Sequence, residues 1–307
     1  MIHTPVLLEK VIEFLVRDEQ GIYVDGTVGS GGHSEAIAQL VCQRGGKLIC
    51  IDQDPEAVAF SKRRLSPYKC VKVIKANYKD MDVVLKNEGI EEVDGILLDL
   101  GMSSMQLEDS GRGFSFMKDE PLDMRMDPQQ PVKAKDLVNN LSEFELSRII
   151  KEYGEERKAR LIARAIIRER KKSPIESSLR LANIISSAVQ DKERRRHPAT
   201  KTFQALRIAV NRELENLKAF LEKAPELLKK GGRLLIISYH SLEDRLVKEY
   251  IKKWENPCTC PRWIPYCVCG KKPLMRRTVK KGIKPDESEV QQNPRSRSAI
   301  LRVIEKL

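Results

Sequence analysis

Over the first hundred residues, short apolar runs alternate with helical patterns. Ile22-Tyr23-Val24-Asp25 reads as a strand entering a glycine-rich turn, with a helix over His33 to Val41. Lys47-Leu48-Ile49-Cys50-Ile51-Asp52 gives a second strand, followed by a helix from Pro55 to Leu65 with proline in its first turn. Val71-Lys72-Val73-Ile74 is a third strand. Gly95-Ile96-Leu97-Leu98-Asp99-Leu100 is a fourth, apolar throughout, as a parallel strand covered on both faces should be. This rhythm predicts an open parallel sheet with helices on both sides. It then stops. From Gln106 to Arg212 the pattern offers a loop (Gly111 to Asp127) and helical stretches at Ser142 to Ile150 and Arg157 to Arg170, with Asp136 and Ser142 as N-caps. Strands return at Gly232 to Ser238 and near Ala299 to Ile304. The expected organisation is one α/β domain over 1–105 and 216–307, interrupted by an inserted all-helical domain over 106–215.

Composition narrows the class. The 307 residues are 41% hydrophobic and 33% charged, enough apolar material for a sizeable core. No stretch approaches the ~18 uncharged apolar residues of a spanning helix. Met1 to Val16 is broken by Glu9 and Glu13 and shows no cleavage site, so it reads as an amphipathic helix and not a signal peptide. The expected location is the cytoplasm, away from any membrane. Disulfides are not expected there, and Cys42, Cys50 and Cys70 read as small core residues.

Charge is concentrated. The net charge is +12, yet Arg148 to Arg212 holds 18 basic and 7 acidic residues and so nearly all of the excess. A near-neutral body with one basic segment suits binding of a polyanion, although a solvated helical face has the same composition.

The turn after the first strand is Asp25-Gly26-Thr27-Val28-Gly29-Ser30-Gly31-Gly32-His33-Ser34. It lacks the Gly-Lys-Ser/Thr ending of a phosphate-binding P-loop, and Ser34 stands where a dinucleotide fingerprint needs its third glycine. Asp25, Gly29 and Gly31 fit the acid-x-x-x-Gly-x-Gly loop of S-adenosylmethionine sites. Asp25 is placed to meet the methionine amine, and Asp52, about 20 residues on, to accept from both ribose hydroxyls. Asp54 is a weaker claimant. Asp99 ends the fourth strand at the edge where ligands sit. There it either accepts from an exocyclic amine, localising the nitrogen lone pair, or caps a helix or touches cofactor. His240, after the fifth strand, is either a second catalytic residue or a hydrogen-bonded structural histidine.

At this point several motifs resemble one family. They are His3-Thr4-Pro5-Val6-Leu7, the Asp25-Gly26-Thr27 and Gly31-Gly32-His33-Ser34 pair, and Asp94 to Gly101. Further along come Arg112-Gly113-Phe114-Ser115-Phe116, Pro121 to Asp127, Phe203-Gln204-Ala205-Leu206-Arg207, His240 to Arg245 and Asn293-Pro294-Arg295. Together they resemble the bacterial 16S ribosomal RNA cytosine-N4 methyltransferase family, also called RsmH or MraW. The resemblance implies a class I S-adenosylmethionine-dependent methyltransferase (Rossmann-like) fold with an inserted helical substrate domain. It also implies N4-methylation of one cytidine in the decoding centre of 16S ribosomal RNA, cytidine 1402, in the small ribosomal subunit. Carried over by motif, cofactor contacts fall on Gly32, His33, Ser34, Asp52, Tyr78, Asp99 and Gln106. Tyr78 is either an adenine platform or a packed strand-end aromatic. Arg194-Arg195-Arg196-His197, Lys201 and the Arg157 to Lys172 helix would contact phosphates. The loop Gly111 to Phe116 either closes over an unstacked cytosine or serves as a structural lid.

No metal is assigned to the reaction centre. Cys258-x-Cys260 and Cys267-x-Cys269 place four thiols within twelve residues, which suits either structural zinc or a metal-free loop held by Pro261, Trp263 and Pro265. Two rivals remain. A DNA amino-methyltransferase would carry Asp/Asn-Pro-Pro-Tyr/Phe where Asp99-Leu100-Gly101-Met102 stands. A non-catalytic RNA-binding assembly factor could retain the same cofactor fold.

Overall fold

The computed structural model describes residues 5–108, 110–189, 197–261, 263 and 265–307. It falls into two compact units, 1–101 with 214–307, and 102–213.

The first unit begins with α1 (Leu8–Leu15), β1 (Ile22–Asp25), α2 (Gly32–Val41), β2 (Lys47–Asp52) and α3 (Pro55–Arg64). It continues through β3 (Val71–Lys75), α4 (Met81–Asn87) and β4 (Val93–Asp99). The second unit holds α5 (Ser104–Glu108), α6 (Ala134–Asn140), α7 (Glu143–Glu152), α8 (Ala159–Arg170), α9 (Ser178–Ala188) and α10 (Thr200–Asn211). The chain then returns through α11 (Glu213–Leu227), β5 (Leu228–Ser238), α12 (Ser241–Glu255), β6 (Met275–Arg277), α13 (Glu287–Gln292) and β7 (Ile300–Lys306).

The sheet order is β3-β2-β1-β4-β5-β7-β6. β7 is antiparallel to both neighbours, and the remaining pairs are parallel. This is the expected class I methyltransferase arrangement, and it explains the apolar strands. In β4, Ile96 and Leu98 enter the core with α4, α11 and α12, whereas Leu97 enters the core with α1 and α2. β5 alternates likewise, Leu234 and Ile236 against Leu235 and Ile237. The strand order reverses between β1 and β4, and in such sheets the crevice beyond that reversal takes ligands. Asp25 and Asp99 end the two strands that flank it.

The second unit has its own core, including Leu122, Leu146, Ile150, Ile162, Ile166, Leu181 and Leu206. Ser142 caps α7 as expected: its hydroxyl accepts from Glu145 N, and Glu145 accepts from Ser142 N. Asp136 does not cap. It sits in the first turn of α6 and accepts the backbone N–H of Lys133 at 2.8 Å, the reciprocal half of a capping box. The cysteines also depart from expectation. Cys42 and Cys70, with Cα atoms 5.3 Å apart, form a disulfide from the end of α2 to the start of β3; Cys50 is free and buried. The pairing follows from parallel β2 and β3, which bring the two ends together.

Candidate active site

The glycine loop is knitted to three strands. Gly26 N donates to Leu97 O at 2.9 Å and Val28 N to Ile51 O at 2.9 Å. Gly31, at φ +80°, is the residue from which α2 starts, a left-handed conformation that favours glycine. Asp25 is 1% exposed. Its Oδ2 accepts from the Ser34 hydroxyl at 2.6 Å and its Oδ1 from Thr27 N at 3.1 Å, while Cys50 Sγ donates to Ser34 Oγ. Burial pushes the Asp25 carboxyl up, against the bonds from Ser34 and Thr27 and the charge of His33. The contacts of Asp25 and Ser34 thus hold the loop's shape. Gly32 is explained by packing: a Cβ there would lie 2.4 Å from Cγ of Pro5.

Asp52 ends β2. Its Oδ2 accepts from Gly29 N and its Oδ1 from Asp54 N, both at 2.9 Å. Burial raises its pKa to about 6, with those two N–H bonds opposing the rise. Each oxygen retains a lone pair, so the carboxylate can still accept from a vicinal diol. Asp54 instead caps α3, accepting from Glu56 N at 3.0 Å. Tyr78 opens the turn after β3, half-buried and edge-on to Phe220 with ring centroids 6.0 Å apart.

Asp99 is the meeting point. Its Oδ1 accepts from the Tyr239 hydroxyl at 2.8 Å, and its backbone N–H donates to Thr27 Oγ1 at 2.7 Å. Nδ1 of His33 stands 3.7 Å from Oδ2. His33 Nε2 faces the Val6 carbonyl at 2.9 Å, and since a carbonyl only accepts, Nε2 carries a proton. Nδ1 is the ring nitrogen turned toward Asp99. Burial raises Asp99 to about 6, while His33 and the Tyr239 hydrogen bond pull it down. Burial and Asp99 together push the Tyr239 phenol well above its ordinary value. A quarter of the Asp99 side chain remains exposed, so the carboxylate is open to a ligand.

His240 lies one residue beyond Tyr239, and its ring meets Glu243. It is the N-cap of α12, with Nδ1 3.4 Å from Glu243 N and Nε2 3.1 Å from Glu243 Oε1. Glu243 in turn accepts from the backbone N–H groups of Tyr239 and His240. Tyr239, whose hydroxyl meets Asp99, is the candidate site residue that sequence reasoning missed. Its signal was its place immediately after β5, at the same sheet edge as Asp99.

The family profile described as "MraW methylase family" matches residues 1–307. The chain belongs to the MraW methylase family. It is 49% identical over 305 residues to the ribosomal RNA small subunit methyltransferase H of Caldicellulosiruptor bescii, covering 99% of each chain. The proteins of that name from Syntrophobacter fumaroxidans and Carboxydothermus hydrogenoformans are also 49% identical, over 99% of this chain and 96% and 98% of theirs.

In this MraW methylase the inserted unit accounts for several of the remaining motifs. Gln106 on α5 is 6% exposed; its Oε1 accepts from Ser103 N, and its own N–H donates to Ser103 Oγ. Phe114 is buried in the unit's core, and Arg112 donates to the carbonyls of Arg125 and Met126. Phe116 stacks on His197 at 4.5 Å and meets Phe203 edge-on. The loop Gly111 to Phe116 is thus anchored within its own unit.

Not all of the basic excess faces outward. Arg170 donates to the carbonyls of Val138 and Leu141 at the end of α6, and Arg207 makes a bidentate pair with Glu213. Lys201 donates to the Glu155 carbonyl. Arg160, Arg164, Arg168 and Lys171 are exposed along one face of α8, opposite buried Ile162, Ala163 and Ile166. Arg194-Arg195-Arg196 lies outside the described residues, as does His3-Thr4.

Proposed function

We propose that this MraW methylase transfers a methyl group from S-adenosylmethionine to N4 of a cytidine in the decoding centre of 16S ribosomal RNA, cytidine 1402. The observation that carries the reading is Asp99, fixed by Tyr239 and His33 at the crevice between β1 and β4, beside the glycine loop. The relatives' shared name, small subunit methyltransferase, supports ribosomal RNA as substrate.

The residues fit S-adenosylmethionine. The loop closes on α2 without a phosphate-binding lysine, which suits a cofactor lacking phosphates. Asp52 retains acceptor capacity for a ribose diol, and Tyr78 stands near the loop, with its Cβ 3.3 Å from where a Gly26 Cβ would be. Gly32, His33 and Ser34 shape the start of α2, and Gln106 opens the inserted unit. When bound, the cofactor supplies an electrophilic methyl on a sulfonium.

The chain's own part is positioning and proton handling. An exocyclic amine is a poor nucleophile because its lone pair is delocalised into the ring. Asp99, ionised at neutral pH, accepts from the amine N–H and localises that pair. Oδ1 already accepts from Tyr239, so Oδ2 is the proposed accepting atom, and the proton released by the amine passes to the Asp99 carboxylate. His240 acts by fixing Glu243, which holds the backbone that carries Tyr239. The exposed face of α8 supplies phosphate contacts, and the cytosine leaves its stack to be reached.

The test is methyl transfer to unmethylated 30S subunits and to free 16S RNA, read by nucleoside mass spectrometry. N4-methylcytidine is the expected product. Tight cofactor binding with no methylated cytidine on either RNA would overturn the reading in favour of a binding factor.

A further inference from the structure

We propose that Cys258, Cys260, Cys267 and Cys269 hold one structural zinc ion, at a site separate from the methyl-transfer residues. The four sulfurs all lie within 4.8 Å of one another. Cys267 Sγ is 3.4 Å from Cys258, 3.4 Å from Cys269 and 3.9 Å from Cys260. A tetrahedron with metal–sulfur bonds of about 2.3 Å has sulfur–sulfur edges of about 3.8 Å. The sulfurs therefore already stand at the spacing that a single tetrahedral ion requires.

Two other uses of four thiols fit less well. Paired disulfides would match each sulfur to one partner, whereas Cys267 has three sulfur neighbours at similar range. A multi-iron cluster interposes its own atoms and holds its cysteine sulfurs farther apart. A soft, all-thiolate tetrahedral set selects zinc.

The surroundings supply the reason for a metal. Residues 256–274 form no helix or strand among those described. Trp263, Tyr266 and Val268 are exposed at 83%, 73% and 66%, so among the described residues these large apolar side chains do not fix the segment. Free cysteine is ordinarily a buried residue, yet Cys258 and Cys267 are exposed, and packing does not explain them. The base of the segment is tied: Leu274 N donates to Trp254 O, and Arg277 pairs with Glu255. The chain is also arranged around the sulfurs. Val268 N donates to Cys260 Sγ at 3.3 Å. Gly270, at φ +65°, turns the chain directly after the last cysteine. The ion would replace a missing core as the segment's cross-link.

The experiment uses the full chain purified in reductant without chelator. Elemental analysis should give about one zinc per chain, released on titration of the thiols with a mercurial. Replacing zinc with cobalt(II) should produce thiolate-to-cobalt charge-transfer bands and the intense visible bands of a tetrahedral site. The double substitution Cys260→Ser, Cys267→Ser should reduce bound zinc at least tenfold. Should that variant fail to fold, the wild-type metal content and cobalt spectrum decide alone. Wild-type protein with no stoichiometric zinc and no cobalt spectrum would overturn the proposal. Stoichiometric iron, or two disulfides among the four cysteines under reductant, would also overturn it.

Discussion

The Tyr239 hydroxyl donates to Oδ1 of Asp99 at 2.8 Å, joining the ends of β5 and β4 across 140 residues of sequence. That bond favours the ionised carboxylate, whereas burial favours the neutral acid, and the balance lies at about 6. Tyr239→Phe removes the bond and leaves the burial. The Asp99 pKa should then rise by about one unit, the worth of a hydrogen bond to a charged group. The proposed mechanism needs the ionised form, so the acid limb of the kcat/KM profile should move toward neutral pH. The loss should be larger at pH 6.5 than at pH 8.5. A limb that stays in place would remove Asp99 as the titrating group.

Asp99→Asn should separate stability from activity. In the folded protein Asp99 titrates at about 6, above its ordinary value of 3.8. Between those values the folded state binds more protons than the unfolded state. Stability from this group is therefore fully present below about 4 and lost as pH rises through about 6. Asparagine avoids the loss: its oxygen can accept from Tyr239 and its amide can donate to Nδ1 of His33. Relative to wild type, the variant should gain about 1–3 kcal/mol at pH 7.5, and the gain should vanish near pH 4. Urea unfolding at both values reads this, while methyl transfer falls at least a hundredfold. A gain that does not depend on pH would contradict the burial of an ionised Asp99.

Asp52→Ala should act on cofactor affinity. The carboxylate fixes Gly29 N in the loop and is the proposed acceptor for the ribose diol. Charge-assisted hydrogen bonds are worth about 1.5–3 kcal/mol, so the dissociation constant for S-adenosylmethionine should rise about 10- to 100-fold. Calorimetric titration measures it. RNA binding without cofactor should stay within a factor of two, since Asp52 lies outside the basic segment.

The strands were legible because each is a continuous apolar run bounded by turn residues, and β1, β2 and β4 end on the aspartates that mark the ligand edge. β6 was not: three residues, two of them exposed arginines, carry no strand signal. Asp136 was misplaced because an acid before an apolar stretch suits the N-cap and the third helical position equally well. The contacts that define Asp99 were hidden for another reason. Tyr239, His33 and Thr27 are brought together by strand order, and nothing in local spacing announces that. Gly32 was legible only as part of a motif; that its missing Cβ also makes room for Pro5 depends on a packing contact that local spacing does not announce.

Gly113→Ala should unfold the loop motif of the inserted unit without touching the sheet. Gly113 sits at φ +72°, and a Cβ there would lie 2.3 Å from the Pro121 carbonyl oxygen, a backbone atom that cannot rotate away. Strain of this kind costs about 1–3 kcal/mol. Hydrogen exchange should show lost protection around Leu122 and Met124, with β1, β2 and β4 unchanged.

The exposed face of α8 predicts a salt signature. Arg160 and Arg164 point away from the unit's core, so replacing both with alanine should leave the thermal midpoint within about 2 °C. Each arginine that neutralises a phosphate releases counterion, and losing it flattens the dependence of log K on log salt by about 0.7–0.9. The double variant should therefore bind 16S RNA more weakly at low salt, with a slope shallower by about 1.5. Binding at high salt should converge with wild type, because the lost contribution is already screened there. Filter binding across 50–300 mM potassium chloride separates the cases. An unchanged slope would mean that this face does not meet phosphate. Arg170 is the internal comparison: it holds the carbonyls of Val138 and Leu141. Arg170→Ala should lower the thermal midpoint and leave the salt slope alone.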